Sequence, residues 1–526
     1  MAVARNVSEV SDVVLGRTNA SGTVQAAATG AAVFAGLIVS RKGRPGVALS
    51  INGDNYETIL GKPYHMREGV HAEGMRQLAE AVKGGAGYVV RVTASNALSP
   101  VLTVKAKPQD AEAGAANPVV ASAIPYGSEI ELGNDDIVAI QLIDGDNESE
   151  RTLQLVEADV SAYGAGFYEL KIIEKDVAGL VKTLESMIVS FSLDAVGVDG
   201  RPAFIEDKIN LSTARMKAVT NTANLGKFEK ISDTKFTGGT SGTASTITQT
   251  EYMAALSVLK NSNVSFTHVL ALGCYIDPVL IALEDLADSN IVQFYCDIEP
   301  NLSYEDALER RATMGLSKPC TSLYHIPYTY TDPVYGSAMS AGLSGFAFAA
   351  KAAGVEMNPV VGGWHYPNAG ESRGTIPRSG LVINSNAGEP DYKAMYKARI
   401  NKLGLNSSGQ LTIDDSLTAS PKEDHQRFEW INAVDFAIGR GFVSLGKSLK
   451  HEPEGVTVDG LTKGMSRLLS DFTTAQALVK PMDPADGTEP WTLAVVKNGA
   501  DLFSCTWSIC VAGSGRRITG QSRLIK

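Results

Sequence analysis

Apolar positions along this chain change period several times, and those changes mark its elements. Ala32–Val39 is an unbroken apolar run, as expected of a strand buried on both faces. In Val70–Val82 the apolar residues Met75, Leu78, Ala79 and Val82 follow helical spacing, and Gly84-Gly85 closes the helix before a strand at Tyr88–Val92. From residue 250 to 352 strands and helices alternate. Helix Thr250–Leu259 carries Tyr252, Leu256 and Leu259 on one face, and strand Phe266–Leu272 follows. Next come a helix with Asp277 as cap and Pro278 at its first position, and a strand at Ile291–Tyr295. Ser303 and Asp306 then form a capping box, followed by strand Thr321–Ile326 and helix Tyr335–Ala353. Alternation of this length predicts a mostly parallel sheet covered by helices. Further helices are expected at Tyr392–Leu403, Gln426–Ile438 and Leu461–Leu478. Near the end, Phe503, Cys505, Trp507, Ile509 and Val511 alternate with Ser504, Thr506, Ser508 and Cys510, a strand with one buried and one polar face.

The resulting fold class is α/β and multidomain: a mixed or parallel sheet core covered by helices, an inserted β-rich domain, and extended terminal arms. Residues 1–30, polar and without periodicity, form the N-terminal arm. Residues 31–95 are the first part of the core. Residues 96–185 are the insertion on the outer surface, rich in acids and turn dipeptides, with a strand at Ile137–Ile143. The α/β core resumes over 186–389, 390–486 is its helical C-terminal part, and 487–526 supplies the last strands and arm. Acids such as Asp144, Asp146 and Glu150 read as a solvated face, because their spacing is not that of a calcium loop.

Charge and composition narrow the function. A net charge of −11 opposes general nucleic-acid binding, which needs a basic surface. The cysteines are odd in number and none sits in a CxxC pair, which argues against a disulfide framework or zinc site and for reduced thiols. The first residues lack the apolar core of a signal peptide. The weakly polar stretches Ala26–Val39 and Ser337–Ala350 fall short of the ~20 residues that cross a bilayer.

Three strings imitate enzyme motifs. Gly441–Ser448 fits GxxxxGK[ST], but a helix precedes it and Pro453 follows, leaving no room for the long helix that a phosphate loop opens. Gly370–Gly374 fits GxSxG around Ser372, yet it lies between Pro367 and Pro377 in a loop. Gly238–Thr243 is read as a structural turn. The scattered histidines form no ligand pair. No catalytic, cofactor or metal residue is expected.

Taken in order, six blocks resemble the tail sheath family of contractile phages and related injection systems. They are Ala31–Pro63 (AAVFAGLIVSRKGRPGVALSINGDNYETILGKP), Gly84–Val92 (GGAGYVVRV), Phe191–Val219, Phe236–Leu256 (FTGGTSGTASTITQTEYMAAL), Asn432–Leu449 (NAVDFAIGRGFVSLGKSL) and the strands from Trp491. Ser241 and Lys447 stand where that family usually carries Asp and Arg. The resemblance implies that residues 441–448 belong to a strand. It also implies a structural protein of the virion, assembled in the host cytoplasm. Its copies polymerise as stacked hexameric rings around a tail tube and contract to drive the tube through the host envelope. The implied partners are the chain itself, the tail tube protein, and the baseplate and tail terminator proteins, with no direct nucleic acid, no membrane insertion and no cofactor. Subunit contacts are then expected at Phe503, Cys505, Trp507, Ile509, Val511 and the basic tail residues Arg516, Arg517 and Arg523. Tube contact is expected at Lys463 and Arg467, which share a helical face at i and i+4. Residues 503–525 otherwise complete their own sheet, and Lys463 and Arg467 otherwise form a solvated face.

Overall fold

The computed structural model describes residues 31–108, 112, 115–147, 149–175 and 178–519; the expected N-terminal arm and Arg523 lie outside them. The chain opens with β1 (Phe34–Val39), β2 (Ala48–Ile51), helices α1 (Tyr56–Leu60) and α2 (Gly74–Ala81), and β3 (Gly87–Val92). It then leaves the core for β4 (Leu98–Lys105), β5 (Val119–Pro125), β6 (Asp136–Leu142), β7 (Glu150–Glu157), α3 (Val160–Tyr163), β8 (Phe167–Lys175), β9 (Val181–Ser190), α4 (Ile205–Ser212), β10 (Met216–Thr220) and β11 (Thr234–Lys235). The core resumes with α5 (Gln249–Asn261), β12 (His268–Leu270), α6 (Asp277–Ser289), β13 (Gln293–Asp297), α7 (Tyr304–Thr313) and β14 (Thr321–Tyr324). Short strands β15 (Tyr328–Thr331), β16 (Ala338–Met339) and β17 (Val382–Ile383) flank α8 (Ser344–Glu356). After α9 (Tyr392–Ala398) come β18 (Ile400–Asn401), β19 (Leu403–Leu405) and β20 (Leu411–Ile413). The long helices α10 (Glu429–Ser448) and α11 (Glu454–Thr474) precede a hairpin of β21 (Trp491–Lys497) and β22 (Phe503–Ile509). Among the described residues no helix is long and apolar enough to cross a membrane.

The central sheet runs β18-β14-β13-β12-β1-β3-β2, parallel except for β2. Its apolar run at β1 has a simple cause. Ala35, Leu37 and Val39 face Tyr252 and Leu256 of α5 and Leu280 and Leu283 of α6, while Phe34 and Ile38 face Met75 and Leu78 of α2 and Phe348 of α8. Helices on both faces leave no polar side to the strand.

The inserted body consists of two antiparallel sheets, β10-β6-β4-β5 and β11-β7-β8-β9, around their own core of Leu102, Ile140, Leu155, Leu170 and Phe204. The expected boundary at residue 185 falls inside β9. Strands β10 and β11 return to these sheets and Ile205, Met216 and Phe228 to this core, so the body runs on to the antiparallel bridge between Leu98 and Thr240. Arg91 ties it to the main core, its guanidinium donating to the carbonyls of Ser40, Arg41, Gly43 and Gly145 at 3.0–3.1 Å. Lys42 adds an ion pair to Asp146 at 2.8 Å. Asp144 and Asp146 are therefore not a solvated acidic face: both also pair with the buried Arg151, at 2.6 and 3.0 Å.

Other expectations shift for local reasons. Asp277 is inside α6 and binds the Arg310 fork, and Ile276 occupies the cap position. The strand expected from Ile291 begins at Gln293, because Ile291 takes φ +56° to leave α6. The helix expected from Tyr335 begins at Ser344. Residues before it form β16 and a loop in which a side chain on Gly342 would collide with Asp297. Left-handed Arg399 (φ +61°) stops α9 so that β18 can join the sheet.

Candidate functional site

In a sheet of this winding, ligands bind outside the carboxyl ends of the strands where the order reverses, here between β1 and β12. That crevice is filled by protein. Glu73, just before α2, accepts hydrogen bonds from the Tyr275 hydroxyl and from Gln77 Nε2, and a Cβ on the adjacent Gly74 would overlap the Leu272 carbonyl. Asp297, the last residue of β13, accepts the Leu343 and Ser344 N–H groups at the start of α8, at 2.6 and 3.1 Å. Burial pushes the Glu73 carboxyl up to about 8 and that of Asp297 to about 6. Their hydrogen-bonding capacity goes to packing α2 and α8 onto the sheet ends.

The enzyme-like strings are likewise structural. Residues 441–448 are the last turns of α10, neither a phosphate loop nor the strand that the resemblance implied, and α11 follows despite Pro453, which caps it. Gly441 admits Leu468 of α11, while Gly460 and Gly464 of α11 admit Leu449, which ends α10, and Leu445 within it; a Cβ on any of the three would sit 2.5–2.7 Å from a leucine methyl. Ser372 lies in an exposed turn whose Gly370 N–H donates to the Ile413 carbonyl at 2.8 Å. The Gly238–Thr243 loop carries the chain back to the core, with the Ser241 hydroxyl donating to the Arg41 carbonyl.

The hairpin lies on α10 and α11. Trp491, Leu493, Cys505, Trp507, Ile509 and Val511 pack on that body, with the Trp507 ring 5.2 Å from Phe442. Burial raises the Cys505 thiol to about 11. Lys497 pairs with Glu454 at the start of α11 at 2.5 Å, a tether that no sequence period signals. Of the side chains expected at a subunit interface, Cys505, Trp507, Ile509 and Val511 thus face inward, but the main chain of β22 does not. Asn498 N–H donates to the Leu502 carbonyl and Cys510 N–H to the Pro490 carbonyl. Hydrogen-bonded pairs across the hairpin therefore involve even-numbered residues, and the peptide groups of Phe503, Cys505, Trp507 and Ile509 point to the outer edge of β22. Among the described strands β21 and β22 pair only with each other. At Val511 the edge is closed by a bridge to Leu478.

The basic residues separate. Arg516 binds Asp415 of its own chain with two bonds of 2.6 and 2.7 Å and lies 4.9 Å over the Tyr396 ring, whereas Arg517 is exposed. Lys463 and Arg467 are 78% and 86% exposed on α11, and each faces an acid one turn away, Asp459 at 2.9 Å and Asp471 at 3.9 Å.

A helix-covered parallel sheet with a filled crevice, a β-rich insertion and a surface hairpin defines a multidomain α/β protein. Comparison with solved structures makes the architecture specific. The chain shares the fold of a sheath tail protein from Listeria innocua, with a TM-score of 0.51 and 10% identity over 92% of this chain and 96% of that one. A sheath tail protein from Desulfitobacterium hafniense gives a TM-score of 0.47 at 10% identity, over 94% of this chain and 99% of that one. No protein-family model and no curated protein sequence matches the chain.

Proposed function

We propose that this chain is the structural subunit of a contractile sheath, not an enzyme. Its copies polymerise as stacked hexameric rings around a tail tube, between a baseplate and a terminator, in a virion assembled in the host cytoplasm. The observation that carries the reading is a sheath-protein fold spanning 92% of the chain, with a terminal hairpin whose outer edge at 503–509 is open. Strand addition at that edge uses main-chain hydrogen bonds, so neighbours stay joined while the α/β bodies turn and slide. The side chains of Cys505, Trp507 and Ile509 fix the strand on α10 and α11, and the peptide groups of residues 503, 505, 507 and 509 face the neighbour. Arg516 is held by Asp415 of its own chain, and Arg517 and Arg523 are assigned to the adjacent subunit. Contraction draws on interface burial, ~25 cal/mol per Å2 of apolar surface in each of many copies, and needs no nucleotide.

Negative-stain imaging of the purified protein tests this directly. Hollow cylinders that occur in a long and a short, wide form are expected; narrow tubes of fixed length per ring, or a monodisperse monomer at high concentration, overturn it. The tube-facing surface is assigned to Lys463 and Arg467. Their charge reversal, Lys463→Glu with Arg467→Glu, is expected to abolish assembly on tubes while tube-free polymers still form.

A further inference from the structure

Among the described residues the inserted body has four sheet edges, and three of them carry features that discourage pairing with another chain. On β10 the side chain of Asn210 brackets Ala218, accepting from its N–H and donating to its carbonyl at 2.9 Å, and Glu206 accepts the N–H of Thr220. Strand β11 is two residues long. The β9 edge carries Lys182 and Glu185 and lies opposite a bulge at Ile172/Ile173. Short edges, edge charges and bulges are the devices that keep sheets from pairing with other chains. The β5 edge has none of them. No charged residue occurs from Ala115 to Ser128, and Val120 is 45% exposed. The Lys105 N–H donates to the Pro118 carbonyl, so hydrogen-bonded pairs with β4 alternate from there, and the peptide groups of Val119, Ala121 and Ala123 point away from the sheet. Among the described strands β5 pairs with β4 alone.

We propose that the β5 edge pairs antiparallel with β5 of a second copy, about a two-fold axis at Ser122, continuing the four-stranded sheet across the contact. The strand is self-complementary in that register: Val120 meets Ile124 on the outward face, Ala121 meets Ala123, and Ser122 meets itself. The N–H and C=O groups of Ala121 and Ala123 then satisfy one another, and Pro118 and Pro125 bracket the pairing at its ends. Charge favours a second copy at this edge over other contacts between copies. Residues 98–236 carry 13 Lys and Arg against 22 Asp and Glu, a net −9, so two such bodies repel unless they meet along a neutral strip. The contact uses a strand in a different sheet from the β21–β22 hairpin, so it links two copies without competing for the hairpin edge.

The test is cross-linking of the full chain. Ser122 is a non-hydrogen-bonded position, where facing Cα atoms come within about 4.5 Å, a separation a disulfide spans. Ser122→Cys is expected to give a covalent dimer under mild oxidation, well above the wild type and above Ser128→Cys, which lies outside the paired segment. Ala123→Pro, which removes an outward N–H and none of the bonds to β4, is expected to eliminate that dimer and any lateral bundling while ring assembly persists. Cross-linking of Ser122→Cys no greater than that of Ser128→Cys, or unaffected by Ala123→Pro, overturns the proposal.

Discussion

The parallel-sheet core and the inserted body carry charge differently. The core encloses charges in pairs: Lys351 and Glu429, 0% and 1% exposed, are linked at 3.0 Å, with further bonds to Trp364, Tyr366, Tyr295, Gln293 and Ser416. Buried ion pairs likewise join Arg76 to Asp332 and Arg378 to Glu80. The insertion encloses one such set, Arg151 with Asp144, Asp146 and Glu174, but carries net −9 of the chain's −11 and leaves Glu129, Glu131 and Asp135 exposed. In the core a charge fixes how elements dock, so losing one partner strands the other. In the insertion it governs what approaches from outside.

Four experiments sharpen this contrast, from the largest expected effect down. Lys351→Met leaves the buried Glu429 carboxyl without its partner, and a loss of about 3–5 kcal/mol in denaturant unfolding is expected. A loss under 1 kcal/mol would mean that water reaches the cluster. A few kcal/mol are also expected from pH. Glu73 is raised to about 8 against an ordinary 4.5, so it contributes stability that is fully present below pH 4.5 and lost as pH rises through 8. Core stability should fall between pH 5 and 9, and Glu73→Gln should flatten that fall. Gly464→Val forces Leu445 out of its seat between α10 and α11 and should lower stability by about 1–3 kcal/mol. The smallest effect is expected from the largest change. Residues 98–240 begin and end at the Leu98–Thr240 bridge, so a Gly-rich link from Ala97 to Ser241 should leave a folded core, destabilised by no more than about 2 kcal/mol for the lost Lys42–Asp146 and Arg91–Gly145 contacts. Failure of that deletion to fold would make the two regions one cooperative unit.

Much of the candidate site is legible in the sequence, though not its orientation. The period-two pattern from Phe503 identifies a strand and its buried face, because alternation reports directly on which side chains leave water. It does not say that the body covered is the chain's own α10–α11 pair or that the open edge is main chain, since hydrogen-bond direction leaves no mark on residue type. Arg516 shows the same limit. Its charge reads from the sequence, but its commitment to Asp415, 101 positions away, does not.

By itself the sequence determined the alternation of strands and helices, the apolar run of β1, the acidic insertion and the terminal strand. Each depends on burial or propensity within one segment, and local pattern encodes both. Tertiary structure alone decided what long-range neighbours decide. Residues 441–448 are helix because glycines at 441, 460 and 464 let two helices approach closely, a gain that exceeds the ~1 kcal/mol a helical glycine costs. The insertion ends near 240 and not at 185 because β10 and β11 find partner strands formed some 75 residues or more earlier in the chain. Packing partners far apart in sequence set both outcomes, and no window along the chain contains them.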